Sequence, residues 1–198
     1  MPGSAVRFGF VVEGKGEDQA LPLLVRRICH DLLYVFTVST TRPVRITKSK
    51  LVRPGELERA IRLARIANGM DGPVLVVLDA DDDCPAELGP SLKRRARAVA
   101  QDCGLSIVIP KYEFETWFLA CAQSLSGCQG LREGLSAPPD PTAVRGAKEW
   151  LSRHMPPGRK YSPTVDQAAL VAHMNLTAAR SCGSFDRLCR EIQRLVIP

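Results

Sequence analysis

The sequence contains no apolar run of about 18 residues or more, which excludes a helical membrane span. Its first ten residues, MPGSAVRFGF, are too short and too weakly apolar for a secretory signal, so a cytoplasmic protein is expected. No Cys-x-x-Cys pair occurs, and the three histidines fall in no zinc-ligand spacing with the cysteines, which argues against a structural zinc site. The seven cysteines are odd in number and scattered, as buried reduced thiols are, and do not form a disulfide framework. Internal repeats and low-complexity tracts are absent. So are both nucleotide-binding loops: GxxxxGK[ST] does not occur, and GKGEDQ at 14–19 lacks the third glycine of GxGxxG.

What is present is the composition of a folded domain. Apolar residues make up 45% and charged residues 24% of 198 positions, enough for one domain with a real core. The net charge of +6 fits a solvated surface as well as attraction to a polyanion. Strand-like apolar runs at 7–12, 35–44, 73–79 and 105–110 alternate with helical spacing over 17–33, from Pro54 onward, over 90–103 and from Phe114. This β-α alternation predicts an α/β fold, a mostly parallel sheet flanked by helices, over residues 5–122. The stretch 123–141, rich in Gly, Ser and Pro, reads as a loop or linker. Short helices near 142–153, 164–173 and 183–195 then form a C-terminal helical extension over 142–198 packed on the sheet domain.

Three of these strands end in acids. The first runs into Glu13, with Glu17 one turn later; the third ends LDADDD, with Asp79 and Asp81; the fourth runs into KYEFETW, with Glu113 and Glu115. Parallel strands put their carboxyl ends on one rim, where ligands of such sheets bind. Gathered carboxylates repel unless a cation joins them, and oxygen donors suit Mg²⁺ or Mn²⁺. The acids beside the glycine turn therefore make sense as metal ligands or acid–base groups rather than as a bare phosphate cradle. Each also has an ordinary explanation. Glu17 and Glu115 favour helix starts, and aspartates cap helices. Lys15, Lys111, Lys148 and Lys160 are candidate phosphate contacts. Lys93, Arg94, Arg95 and Arg97 are expected on an outer helix face beside a nucleic-acid track. Glu58 is expected to pair with Arg62 along its own helix.

VEGKGE followed by LDADDD resembles the TOPRIM domain, the Mg²⁺-binding fold of topoisomerases, primases and OLD-type nucleases. EFETWFLA, AKEWL, KYSPTVDQAAL and SCGSFDRL, starting at 113, 147, 160 and 181, resemble small bacterial stand-alone TOPRIM-like proteins of unknown function, related to RloB-type proteins. The resemblance implies a Rossmann-like TOPRIM fold with a metal held by Glu13, Asp79, Asp81 and Glu115. Glu13 and Glu17 become the catalytic candidates, and Lys15, Arg94, Arg95 and Lys160 the nucleic-acid contacts. It also implies a setting beside an SMC- or RecF-like (AAA/SMC-like) ATPase, in anti-phage defence or DNA repair.

The expectation is thus metal-dependent phosphoryl transfer on DNA or RNA, of the nuclease type. A binding module that holds metal and nucleic acid, or an ATPase partner, without cutting is the alternative. A small-molecule phosphotransferase is a weaker third.

Overall fold

The computed structural model describes residues 5–197; the first four residues of the N-terminal decapeptide lie outside them. β1 (Val6–Val12) is the pivot of a parallel sheet. It leads into α1 (Glu17–Arg27), which widens into a π turn over Ile28–Leu32 where one continuous helix was expected.

The apolar run 35–44 is two strands rather than one. Pro43 lacks the N–H a ladder needs, and the chain breaks there into β2 (Val38–Thr40) and β3 (Val44–Arg45). β2 pairs with the first half of β1 and β3 with the second. A single-turn helix, α2 (Lys48–Leu51), follows. Pro54 does not open the next helix: Gly55, at φ 82°, precedes α3 (Glu56–Ala67).

β4 (Val74–Val77) lies beside β1, and α4 (Pro85–Arg97) follows it. α4 starts and ends earlier than the spacing over 90–103 predicts, because Pro85 fits the first helical turn. β5 (Leu105–Val108) completes the order β2-β1-β4-β5, and the short α5 (Thr116–Ala120) follows. Then come α6 (Ala147–Arg153), α7 (Pro163–His173), α8 (Leu176–Ala179) and α9 (Gly183–Val196). Among the described residues no helix is long and apolar enough to cross a membrane.

Alternation along the central strands divides the core. Phe8, Phe10, Val12, Leu75 and Val77 face α1, α5 and the C-terminal helices. Val11, Val74 and Val76 face α3 and α4. Every second side chain of a strand points to the same face, and both faces are covered, so these strands are apolar throughout. On the first face Phe114, Trp117, Phe118 and Phe185 pack together, and the Trp117 indole donates to Ser184 Oγ at 3.0 Å. Leu125, Leu131 and Leu135, in the irregular stretch 123–141, are buried in the same cluster as α7 and α9. That stretch is part of the body, not a free tether.

Topologically, β2 and β3 lie on one side of β1, while β4 and β5 lie on the other. The chain therefore switches direction between β1 and β4, and the crevice outside their carboxyl ends is where a parallel sheet offers a site.

Gly9 lets α3 lie against β1: a Cβ there would stand 2.6 Å from the Ala64 carbonyl oxygen. Gly9→Ala is expected to cost about 1–3 kcal/mol from overpacking. Urea unfolding followed by circular dichroism measures it, and unchanged stability would show that α3 can move freely away.

Candidate functional site

β1 delivers Glu13 to the switch point and β4 delivers Asp79 beside it. The loop after β5 adds Glu113 and Glu115. Glu13, Glu17, Asp79 and Glu115, with Lys15, Asp81 and Lys148, line a cleft of about 350 Å³. The shared rim expected from parallel strands is present, and it holds Glu13, Glu17, Asp79, Asp81 and Glu115 together.

The glycine turn is closed by its own carboxylate. Glu17, 4% exposed, turns back so that Oε2 accepts from the Glu13 N–H at 3.2 Å. Gly16 is required by contact rather than by φ: a Cβ would collide with the Gln167 amide oxygen and the Pro163 carbonyl, so only glycine lets the start of α7 rest on the turn. α7 thereby forms a wall of the cleft and contributes Gln167 from its buried side.

Glu115 is the most enclosed of the acids at 1% exposed. Its Oε1 accepts from Tyr161 Oη at 2.9 Å and from Gln167 Nε2 at 3.2 Å. Lys148 Nζ stands 3.3 Å from both Glu115 Oε2 and Glu113 Oε1, and the Lys148 N–H donates to Glu113 Oε2 at 3.1 Å. Asp79 Oδ1 accepts from the Phe114 N–H at 2.9 Å, which ties the end of β4 to the loop after β5.

Asp81 stands at the mouth, exposed, with φ 49°. Its Oδ2 and that of Asp83 each lie 3.0 Å from Lys48 Nζ. The Lys48 N–H meanwhile donates to Glu13 Oε1 at 3.2 Å. One residue thus binds the glycine turn through its backbone and the aspartate loop through its side chain.

Crowding shows in the proton affinities. Burial raises Glu13, with Asp81 adding to it and the Lys48 N–H opposing it. Burial also lifts Glu17 to about 7, against hydrogen bonds from the Glu13 and Gly14 N–H groups, with repulsion from Glu115 and Glu13 adding to the rise. Asp79 is raised well above the usual range by burial and then by Glu17 and Glu115, with Lys148 opposing. Burial raises Glu115, with Lys148 opposing again. Burial works against the charged ammonium of Lys148, but Glu115, Asp79 and Glu113 outweigh it and hold its proton more tightly than usual.

Hard oxygen donors therefore converge, and three buried polar atoms around the cleft lack a hydrogen bond: Glu13 Oε2, Glu115 Oε2 and Gln167 Oε1. That donor chemistry fits a divalent cation. The spacing is looser than a finished cage: among the described residues no three His, Cys, Asp or Glu side chains stand close enough to share one ion. Lys48 and Lys148 occupy the cationic role instead.

The expected nucleic-acid contacts divide. Lys15 is exposed at the cleft. Lys160 is exposed one residue before Tyr161, but it does not line the cleft. Arg94 is exposed on α4 and does not line the cleft. Arg95 is not available as expected: its guanidinium grips both oxygens of Glu58, at 2.8 and 2.9 Å, and the carbonyls of Leu51, Val52 and Arg53. It clamps α4 to α2 and α3, and it takes the partner expected for Arg62. Lys48, Tyr161 and Gln167 do not stand out in the sequence, and Lys148 reads there as one candidate phosphate contact among several. Lys148, Tyr161 and Gln167 stand in the tail segments that carry the family resemblance, which was the available signal. Lys48 stands in no motif.

Glu17 binds its proton more tightly folded than unfolded, so its contribution to stability falls as pH rises from about 4.5 toward about 7. Glu17→Gln keeps an acceptor for the Glu13 N–H and removes the charge. It is expected to raise stability at pH 8 by on the order of 3 kcal/mol and to flatten the decline between pH 5 and 7. Thermal melts of both proteins across that range check this; parallel curves would mean that Glu17 is not held protonated.

No curated protein and no solved structure matches the chain. The profile of one family, described as Domain of unknown function (DUF4276), matches residues 12–193, from the end of β1 through most of α9. The match takes in every acid and lysine of the cleft, and the chain belongs to the DUF4276 family.

Proposed function

We propose that the cleft carries out metal-dependent phosphoryl transfer on nucleic acid, as a TOPRIM-type nuclease. The observation that carries this reading is Glu13: its Oε1 is fixed by the Lys48 N–H, while its buried Oε2 has no hydrogen bond and lines the cleft beside Asp79. A carboxylate oxygen left free in such a place, on a group whose proton affinity is raised, is suited to take a proton from an attacking water.

Glu13, Asp79, Asp81 and Glu115 are the residues that would hold Mg²⁺ or Mn²⁺, whose chemistry is charge withdrawal from a phosphoryl oxygen. Lys148 neutralises Glu113 and Glu115 and lies where a phosphate would enter. Tyr161 and Gln167 fix the orientation of Glu115. Lys15 sits at the mouth as a further cation for phosphate. Glu17 holds the turn in shape from below, and its position makes it a positioning group more than a second base.

A second reading has its own support. The lysines already neutralise much of the cluster, as they would in a module that binds nucleic acid or an ATPase partner without cutting.

Incubation of the protein with labelled DNA and RNA panels, with and without Mg²⁺ or Mn²⁺, separates the two. Cleavage that needs metal and drops about a hundredfold or more in Glu13→Gln is expected, the range for loss of a general base. Metal should also raise the melting temperature of the wild type by mass action, and a double Asp79→Asn, Asp81→Asn variant should lose that shift. If no DNA or RNA is cut with metal, alone or with an ATPase partner, the binding module replaces the nuclease.

A further inference from the structure

At the far end of the sheet from the carboxylates, α4 and α9 flank the start of β5. A cleft of about 620 Å³ there is lined by Lys93, Arg97, Gln101, Gly104 and Arg194 among others, and it contains no carboxylate. A second hollow shares Arg194 and continues along α9 past Arg187 and Arg190. Because the strands are parallel, this groove and the acid rim are separated by at least the length of β5, about 13 Å.

The cations here are mostly uncommitted. Lys93, Arg97 and Arg187 make no ion pair among the described residues. Arg190 meets Asp186 at 3.1 Å, and Arg194 meets Glu191 at 2.9 Å. Glu191, the acid in the second hollow, is already held by Arg194 and by Ser106 Oγ at 2.6 Å, so little of its charge is left to oppose an anion.

Arg187, Arg190 and Arg194 repeat at three- and four-residue steps, which places them in one row along α9. Seven residues of helix span about 10 Å, enough to meet more than one phosphate of a strand whose charges recur every ~3.4 Å of axis. Guanidinium forks match phosphate oxygens in pairs. An acidic protein partner is less well suited: protein interfaces depend on buried apolar anchors, and the exposed side chains of this lining are Lys93, Arg97, Gln101 and the α9 arginines.

We propose that the α4–α9 groove is an anion track that holds the phosphodiester backbone of a nucleic-acid strand, by charge and without metal. The track does not depend on the cleft being catalytic. It adds the α9 arginines to the exposed cations of α4 and leaves out Arg95, which the fold uses.

The test is fluorescence anisotropy of labelled single-stranded DNA, duplex DNA and RNA oligomers with the full chain in EDTA, over a series of NaCl concentrations. The wild type is expected to bind at least one of them, with affinity falling steeply with salt. Arg97→Glu plus Arg187→Glu should bind at least tenfold more weakly at low salt, with the salt slope reduced by about 1.4 on a single strand, the loss of two contacts. Arg59→Glu plus Arg62→Glu on α3 makes the same change in net charge and should bind like the wild type. Binding measured in EDTA involves no metal-dependent cleavage, which keeps this result separate from the nuclease reading. If the groove variant melts early, Arg97→Gln plus Arg187→Gln serves in its place. The proposal is overturned if no oligomer binds, if the groove variant binds like the wild type, or if both double reversals weaken binding equally.

Discussion

Lys148 and the acids around it set the terms for the rest of the molecule. Glu115 is almost wholly enclosed, and an ionised carboxylate in that position is costly without a nearby cation and hydrogen bonds. Lys148 supplies the charge; Tyr161 and Gln167 supply the hydrogen bonds. These partners come from α6, the segment before α7, and α7 itself. The C-terminal helices are therefore needed to make the rim chemically tolerable, quite apart from the apolar surface they cover.

The same logic links the other side of the rim. Lys48 joins the glycine turn, through its backbone, to the aspartate loop, through its side chain. Asp79 joins the aspartate loop to the loop after β5. Arg95 braces the segment behind Lys48 by holding the carbonyls of Leu51, Val52 and Arg53. Three loops that the sequence separates widely are thus bound into one wall. Gathered acids of this kind raise one another's proton affinity, so the site stores unfavourable electrostatics that an added cation can relieve.

Much of this was legible beforehand because it depends on period and order. The apolar runs and their alternation with helices gave away a parallel sheet, and the acids after three strands gave away a common rim. The failures have local causes. Pro43 broke one expected strand in two, and Pro85 started α4 early. Arg95 looked like a solvated cation because nothing in helical spacing indicates that α2 and α3 present carbonyls and Glu58 to it. Helical spacing pairs Glu58 with Arg62 one turn along, whereas the fold brings Arg95 to it from another helix.

The sequence by itself determined which residues could form strands and helices, and that Glu13, Asp79 and Glu115 would leave the sheet on one side. Both follow from short-range rules: side-chain periodicity and the shared direction of parallel strands. Tertiary structure alone decided the partners. That Lys48 and Lys148 stand among the acids, that Gly16 must yield to Gln167, and that α9 sets its arginines beside those of α4 are consequences of packing. Charge and contact act through space, and residues a hundred positions apart in sequence become neighbours only when the chain has closed.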